Sequence, residues 1–201
     1  METFHKTAIG EYHKCSGCSS VFLDKKYFVP PEAEKKRYEK HKNSRDDGGY
    51  LNFLSPVIGG VERLVSVGKT GLDFGAGPSP VMADVLRGKG HSIDIYDPFF
   101  WNDKNKLSKK YEFIICTEVI EHFHFPEKEF ALLRSLLAPG GTLFIMTEVY
   151  SEKINFATWP YANDETHVFF YHNRALEWIR ANFGFSSLEV DGRLIILRTS
   201  A

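Results

Sequence analysis

Past residue 68 the chain alternates short apolar runs with amphipathic stretches of helical period. The runs over 70–74, 91–96, 111–117 and 142–147 read as strands, and the stretches over 80–87, 127–137 and 172–182 as helices. Residues 185–190 and 194–198 read as a closing antiparallel pair around the turn Asp191-Gly192. Strands that alternate with helices predict an α/β domain, a doubly wound sheet that is mostly parallel and covered on both faces. Upstream, Leu51, Leu54, Ile58, Val61 and Leu64 recur at helical spacing. Pro56 falls inside that stretch, so its first turn is expected to be separate or kinked. Residues 32–41 favour a helix and residues 1–30 read as irregular, ending at Pro30-Pro31. The pattern divides the chain into an N-terminal extension, 1–44, and a domain over 45–201.

The sharpest local signal is Gly71-Leu-Asp-Phe-Gly-Ala-Gly-Pro-Ser-Pro80, a strand that runs into a glycine loop and then a helix. Gly75 and Gly77 allow positive φ and close approach of a ligand to the backbone around Ala76. Ser79 is expected as N-cap with Pro80 as the first helical residue, leaving free N–H groups to attract a carboxylate. A dinucleotide fingerprint would need a third glycine where Pro80 stands. Asp73, just before the loop, would repel a pyrophosphate and suits the amino group of a bound amino-acid moiety. Asp97, before Pro98 at the end of the next strand, is placed to accept from both ribose hydroxyls of a nucleoside. It also reads as a simple turn-former. Phe99 and Phe100 could flank a base or merely pack.

Composition adds limits. Apolar residues make up 43% and charged residues 25%, an ordinary globular balance. The formal charge of −1 carries no overall nucleic-acid footprint. Three cysteines, Cys15, Cys18 and Cys116, do not read as a disulfide framework, and neither a secretory leader nor a membrane-length apolar run is visible. A cytoplasmic protein without membrane attachment is expected.

The glycine loop with Asp73 and Asp97 resembles the class I methyltransferases that use S-adenosylmethionine (SAM). The likeness continues through Tyr111-Glu-Phe-Ile-Ile-Cys-Thr-Glu-Val-Ile-Glu-His-Phe123 and Leu136-Leu-Ala-Pro-Gly-Gly-Thr-Leu-Phe-Ile145. It implies the family's sheet with an antiparallel last strand. Only about a dozen residues separate Asp97 from the strand at Tyr111, so the family's third strand should be short or missing. A closer resemblance is to uncharacterised bacterial members grouped with the ubiquinone-biosynthesis O-methyltransferases, carried by Cys15-Ser-Gly-Cys18, His41-Lys-Asn43, Gly49-Tyr50 and Thr166-His-Val-Phe-Phe-Tyr171. The resemblance implies SAM contacts at Asp73, Gly75, Ala76, Gly77, Asp97, Pro98, Thr117, Glu118 and Tyr50.

Glu118, Glu121 and His122 would share one face if they opened a helical turn, and two carboxylates with an imidazole suit a divalent ion such as Mg²⁺. The string resembles the metal-binding segment of ubiquinone and small-RNA methyltransferases, which implies His167 as a fourth ligand. Without a metal, His122 or His167 is the candidate general base, with Tyr171 as a further catalytic candidate. The same histidines also read as structural. Cys15 and Cys18 have zinc-knuckle spacing without a clear second half, and His5, His13 and His41 are the nearby donors; a degenerate knuckle without zinc is favoured. Residues 148–171 form a long aromatic loop beyond the fifth strand, where open sheets bind ligands. It is expected to wall a planar acceptor or to pack as core. The reading is a methyltransferase acting on a small molecule, with a hydroxyl oxygen as acceptor. The alternatives are an RNA methyltransferase, using Lys104, Lys106, Lys109 and Lys110, and a non-catalytic SAM-binding module.

Overall fold

The computed structural model describes residues 3–40 and 43–201. The elements are β1 (Thr3–Lys6), β2 (Glu11–Lys14), β3 (Val21–Leu23), α1 (Pro31–Tyr38), α2 (Gly48–Leu64), β4 (Thr70–Phe74), α3 (Val81–Gly88) and β5 (Ser92–Tyr96). They continue with β6 (Tyr111–Thr117), α4 (Pro126–Leu136), β7 (Leu137–Met146), β8 (Phe169–Phe170), α5 (Asn173–Asn182), β9 (Ser187–Asp191) and β10 (Leu194–Arg198). Six strands form the central sheet in the order β5-β4-β6-β7-β10-β9. The pairs β5/β4, β4/β6 and β6/β7 are parallel, and β10 inserts antiparallel between β7 and β9. Among the described residues no strand lies beyond β5, as the short stretch after Asp97 predicts.

Period-two alternation decides the layers. Phe113 and Ile115 of β6 face α2 and α3, where Leu54, Val57, Val61, Met82 and Leu86 are buried. Ile114 and Cys116 point the other way, under Phe130 and Leu133 of α4 and Leu176 and Ile179 of α5. Each strand is apolar on both faces because each face is roofed by helices.

Helix α2 is unbroken across Pro56, against expectation. A proline removes the N–H that would satisfy the carbonyl four residues back. Here that carbonyl is Asn52's, and the Ser55 hydroxyl donates to it instead at 2.7 Å. Asp47 caps the helix, accepting from the N–H groups of Gly49 and Tyr50 at 2.9 and 3.1 Å.

Residues 3–30 are not irregular. β1, β2 and β3 form an antiparallel sheet that β8 completes, so strand pairing crosses the expected boundary at residue 44. Tyr12, Val21 and Leu23 of this sheet bury themselves against Tyr150, Phe156, Trp159 and Phe170. The aromatic loop therefore serves mainly as the core beneath a second sheet. No helix among the described residues is long and apolar enough to cross a membrane.

Candidate active site

Strands β4, β5 and β6 end on one side of the sheet, and a cavity of about 730 Å³ opens there. Tyr50, Asp73, Gly75, Ala76, Gly77, Asp97, Pro98, Thr117, Glu118, His122 and His167 all line it. Gly75 has φ +79°, and a Cβ there would meet Val119 at 2.5 Å, so the turn accepts only glycine. The loop amides are not free, contrary to expectation. Gly75 and Ala76 donate to the Tyr96 carbonyl at 2.8 and 3.3 Å, and Gly77 donates to Asp97 Oδ2 at 2.9 Å. Asp97 Oδ1 accepts from Phe99 and Phe100 N–H at 2.8 and 3.1 Å, which fixes the carboxylate against the loop.

Ser79 does not cap α3. The helix begins at Val81, and the cap comes from across the loop: Asp73 Oδ2 accepts from Ala83 N–H at 3.2 Å. Burial pushes the Asp73 carboxyl up to about 7, against that hydrogen bond.

The predicted helical face of Glu118, Glu121 and His122 does not form. Glu118 has φ +54°, a strained conformation for a residue with a Cβ, and only Ile120–His122 make a 3₁₀ turn. Glu118 turns instead to Arg193, which donates to its Oε2 at 2.5 Å and to Glu148 Oε1 at 2.8 Å. Glu118 Oε1 and Thr117 Oγ1 are buried with no hydrogen-bond partner among the described residues. Burial and the neighbouring Glu121 push the Glu118 carboxyl up to about 8, although Arg193 opposes them. Glu121 is fully buried behind it, accepting from Tyr161 Oη at 2.5 Å and Thr147 Oγ1 at 3.0 Å, and burial raises its carboxyl too.

His122 and His167 meet edge to face, their ring centroids 4.8 Å apart. His122 Nδ1 lies 2.8 Å from the Thr166 carbonyl and His167 Nδ1 lies 2.7 Å from the Tyr161 carbonyl. A carbonyl only accepts, so each Nδ1 carries a proton. Burial, then His122, hold His167 below the ordinary imidazole value, which keeps it neutral at pH 7. Donor atoms of Glu121, His122 and His167 all lie within 4.8 Å of one another. Glu118 is not in that group.

Tyr171 does not reach the cavity. Its buried hydroxyl donates to the Ile120 carbonyl at 3.1 Å, so it braces the turn that carries His122. Cys15 and Cys18 sit in the β2–β3 turn, where Cys18 N–H points at Cys15 Sγ at 3.5 Å. His13 pairs instead with Asp24, His5 packs on Phe156, and His41 lies outside the described residues. In the lysine run, Lys106 and Lys109 are spent on Asp94 at 2.7 and 2.8 Å, which weakens the basic patch an RNA would need.

Two wall residues and the partner of Glu118 escaped the sequence reading. Glu34 and Tyr38 of α1 line the cavity, and Arg37 holds that helix down through Asp164 at 2.6 Å. The spacing of Glu34 and Tyr38, one helical turn, was the available signal. Arg193 gave none, because only the fold brings the β9–β10 turn to the carboxyl ends of the parallel strands.

The Methyltransferase domain family model matches residues 50–190, most of the chain. The chain belongs to this family. Its methyltransferase domain shares the fold of a 1,6-didemethyltoxoflavin-N1-methyltransferase from Burkholderia thailandensis, at TM-score 0.60 and 15% identity over 94% of this chain and 99% of that one. A SAM-dependent methyltransferase from Archaeoglobus fulgidus aligns at TM-score 0.59 and 16% identity, over 82% and 98% of the two chains. An O-methyltransferase family protein from Burkholderia thailandensis aligns at TM-score 0.58 and 14% identity over 84% of this chain, which spans only 63% of that protein. No curated protein matches the sequence.

Proposed function

We propose that this methyltransferase domain binds SAM in the main cavity and moves its methyl group to a small molecule, with a hydroxyl oxygen as acceptor. The observation that carries the reading is the pairing of a fixed Asp97 with an acidic pole. Asp73, Glu118 and the orphaned Thr117 Oγ1 line one end of the cavity, where they suit the ammonium and sulfonium of SAM. Asp97 stands where a carboxylate takes ribose hydroxyls, and relatives of this fold carry SAM or S-adenosylhomocysteine (SAH).

Methyl transfer is an in-line displacement. The acceptor oxygen forms a bond to the methyl carbon while the carbon–sulfur bond breaks toward sulfur. The domain must align the two and take one proton. His122 and His167 are the candidate bases; His167, neutral at pH 7 with its proton on Nδ1, keeps a lone pair at Nε2 that suits a base. A divalent cation is the second reading, favoured by the convergence of Glu121, His122 and His167 alone. Those three would hold it, and it would supply a lowered pKa for the acceptor hydroxyl.

Calorimetric titration of SAM into the purified chain tests the central reading. Micromolar binding that is lost in Asp97→Ala is expected. A folded chain that takes up no SAM would sink the proposal. Binding that tightens with Mg²⁺ or Mn²⁺ in the native chain but not in Glu121→Gln would bring the metal forward.

A further inference from the structure

Behind the wall that carries the two histidines lies a second cavity of about 540 Å³. The chain weaves between the two spaces. His122 and His167 face the main cavity, Val168 and Phe169 face the second, and Phe123, His124 and Phe125 line both. The wall is fixed by backbone bonds, Val168 N–H to Glu121 C=O and Leu23 N–H to Val168 C=O, each 2.9 Å. β3 and its following turn therefore supply the far side of the second cavity. Phe22 stacks on Phe169 with centroids 6.0 Å apart and 16° between planes, and Phe28 lies 4.4 Å from the His124 ring.

At the junction of the two cavities the Phe125 ring is exposed, an unusual place for so large an apolar side chain. Lys25 and Lys128 flank it, their Nζ atoms 5.4 and 5.1 Å from the ring centroid. Neither lysine has a carboxylate partner among the described residues. Two acids line this cavity: Asp24, already engaged by Lys26 and His13, and Glu127, which is exposed to solvent. Two uncommitted cations around an aromatic ring, beside a cavity walled by phenylalanines, match a ligand that is itself an aromatic ring system with an acid group.

We propose that the second cavity is the distal half of the acceptor site and that the acceptor is a hydroxylated aromatic acid. Its reactive hydroxyl reaches His122 and His167 past Phe125, its rings seat among Phe22, Phe28 and Phe125, and its acid group lies between Lys25 and Lys128. The acceptor assignment rests on the methyltransferase reading; the ring-and-anion site does not.

The binding test uses the full chain saturated with SAH, anilinonaphthalene sulfonate as anionic probe, and uncharged phenylnaphthylamine as control. A single site is expected whose affinity for the sulfonate drops at least about tenfold in the Lys25→Glu/Lys128→Glu double variant, because two charge contacts are reversed. The neutral probe should bind that variant as it binds the native chain. Equal sulfonate affinity in both proteins, or no sulfonate binding to the SAH-saturated chain, would overturn the site. The turnover test follows SAH formation from a hydroxynaphthoic acid and its methyl ester. The acid should turn over faster, with KM rising about tenfold in the double variant while kcat and SAM affinity hold. An acid turned over no faster than its ester removes the acceptor assignment. Loss of SAM binding alone, with the sulfonate site intact, would instead point to failure of the methyltransferase reading.

Discussion

Binding of SAM should release protons. Asp73, with its carboxyl pushed up to about 7, is half protonated at pH 7, and Glu118, at about 8, is roughly nine-tenths protonated. A cofactor that places an ammonium and a sulfonium beside these groups favours their ionised forms, and each unit by which it lowers a pKa contributes about 1.4 kcal/mol to binding. If both carboxyls ionise fully in the complex, somewhat more than one proton leaves per SAM bound at pH 7. The sign follows from linkage: the free protein binds more protons than the complex, so affinity rises with pH until both carboxyls ionise unaided, near pH 9. The ligand's own α-amino group, with an ordinary pKa of about 7.7–8.0, works the other way above pH 7.5, so measurements belong between pH 6 and 7.5. Calorimetry in phosphate and in Tris, whose ionisation enthalpies differ, reads the proton count as the slope of apparent enthalpy. Asp73→Asn and Glu118→Gln should each remove their own share. A slope of zero, or net uptake across that range, would refute the acidic pole as the cation site.

Three further outcomes follow from the local geometry. Gly75→Ala forces a side chain into a φ +79° turn and against Val119, so it should cost about 1–3 kcal/mol in chemical denaturation and weaken SAM binding. Ser55→Ala orphans the Asn52 carbonyl that Pro56 cannot serve; because that turn is exposed to water, a loss near 0.5 kcal/mol is expected in thermal melts, and none if water substitutes. Arg37→Ala frees α1 from Asp164 and should raise the KM for SAM several-fold with little change in melting temperature, since the pair is partly solvated. An unchanged KM would mean that α1 does not help to close the cavity.

The central sheet was legible because its signals repeat: apolar runs, turn residues and a glycine loop recur in an order few folds share. The missing third strand was legible too, from the distance between Asp97 and Tyr111. The N-terminal sheet was not. Its strands run three or four residues; β1 and β2 mix His, Lys and Glu with a single apolar position each, and β3, only three residues long, finds its outer partner in Phe169–Phe170, about 150 residues away in sequence. The backbone pattern is enough to bring Asp73 and Asp97 to the cavity wall. It fails where one residue's conformation decides, as at Glu118, whose positive φ breaks the helical spacing that would unite it with Glu121. Tyr171 misled for another reason: its side chain is buried and spends its hydroxyl on the Ile120 carbonyl, which no local pattern announces.

The absent third strand also bears on how copies of this chain meet one another. β5 is left as an edge, and an open edge is a template onto which a neighbouring chain can add its own strand. Here the Lys104–Ser108 turn folds back beside β5, and Lys106, Lys109 and the Tyr111 hydroxyl converge on Asp94 in the middle of that strand. Although burial opposes it, these three hold the Asp94 carboxyl down to about 2, so the clamp stays charged across the physiological range. Cover of this edge thus rests on two ion pairs and one hydrogen bond. High salt, or neutral residues in place of the two lysines, would turn that margin into a seed for edge-to-edge self-association.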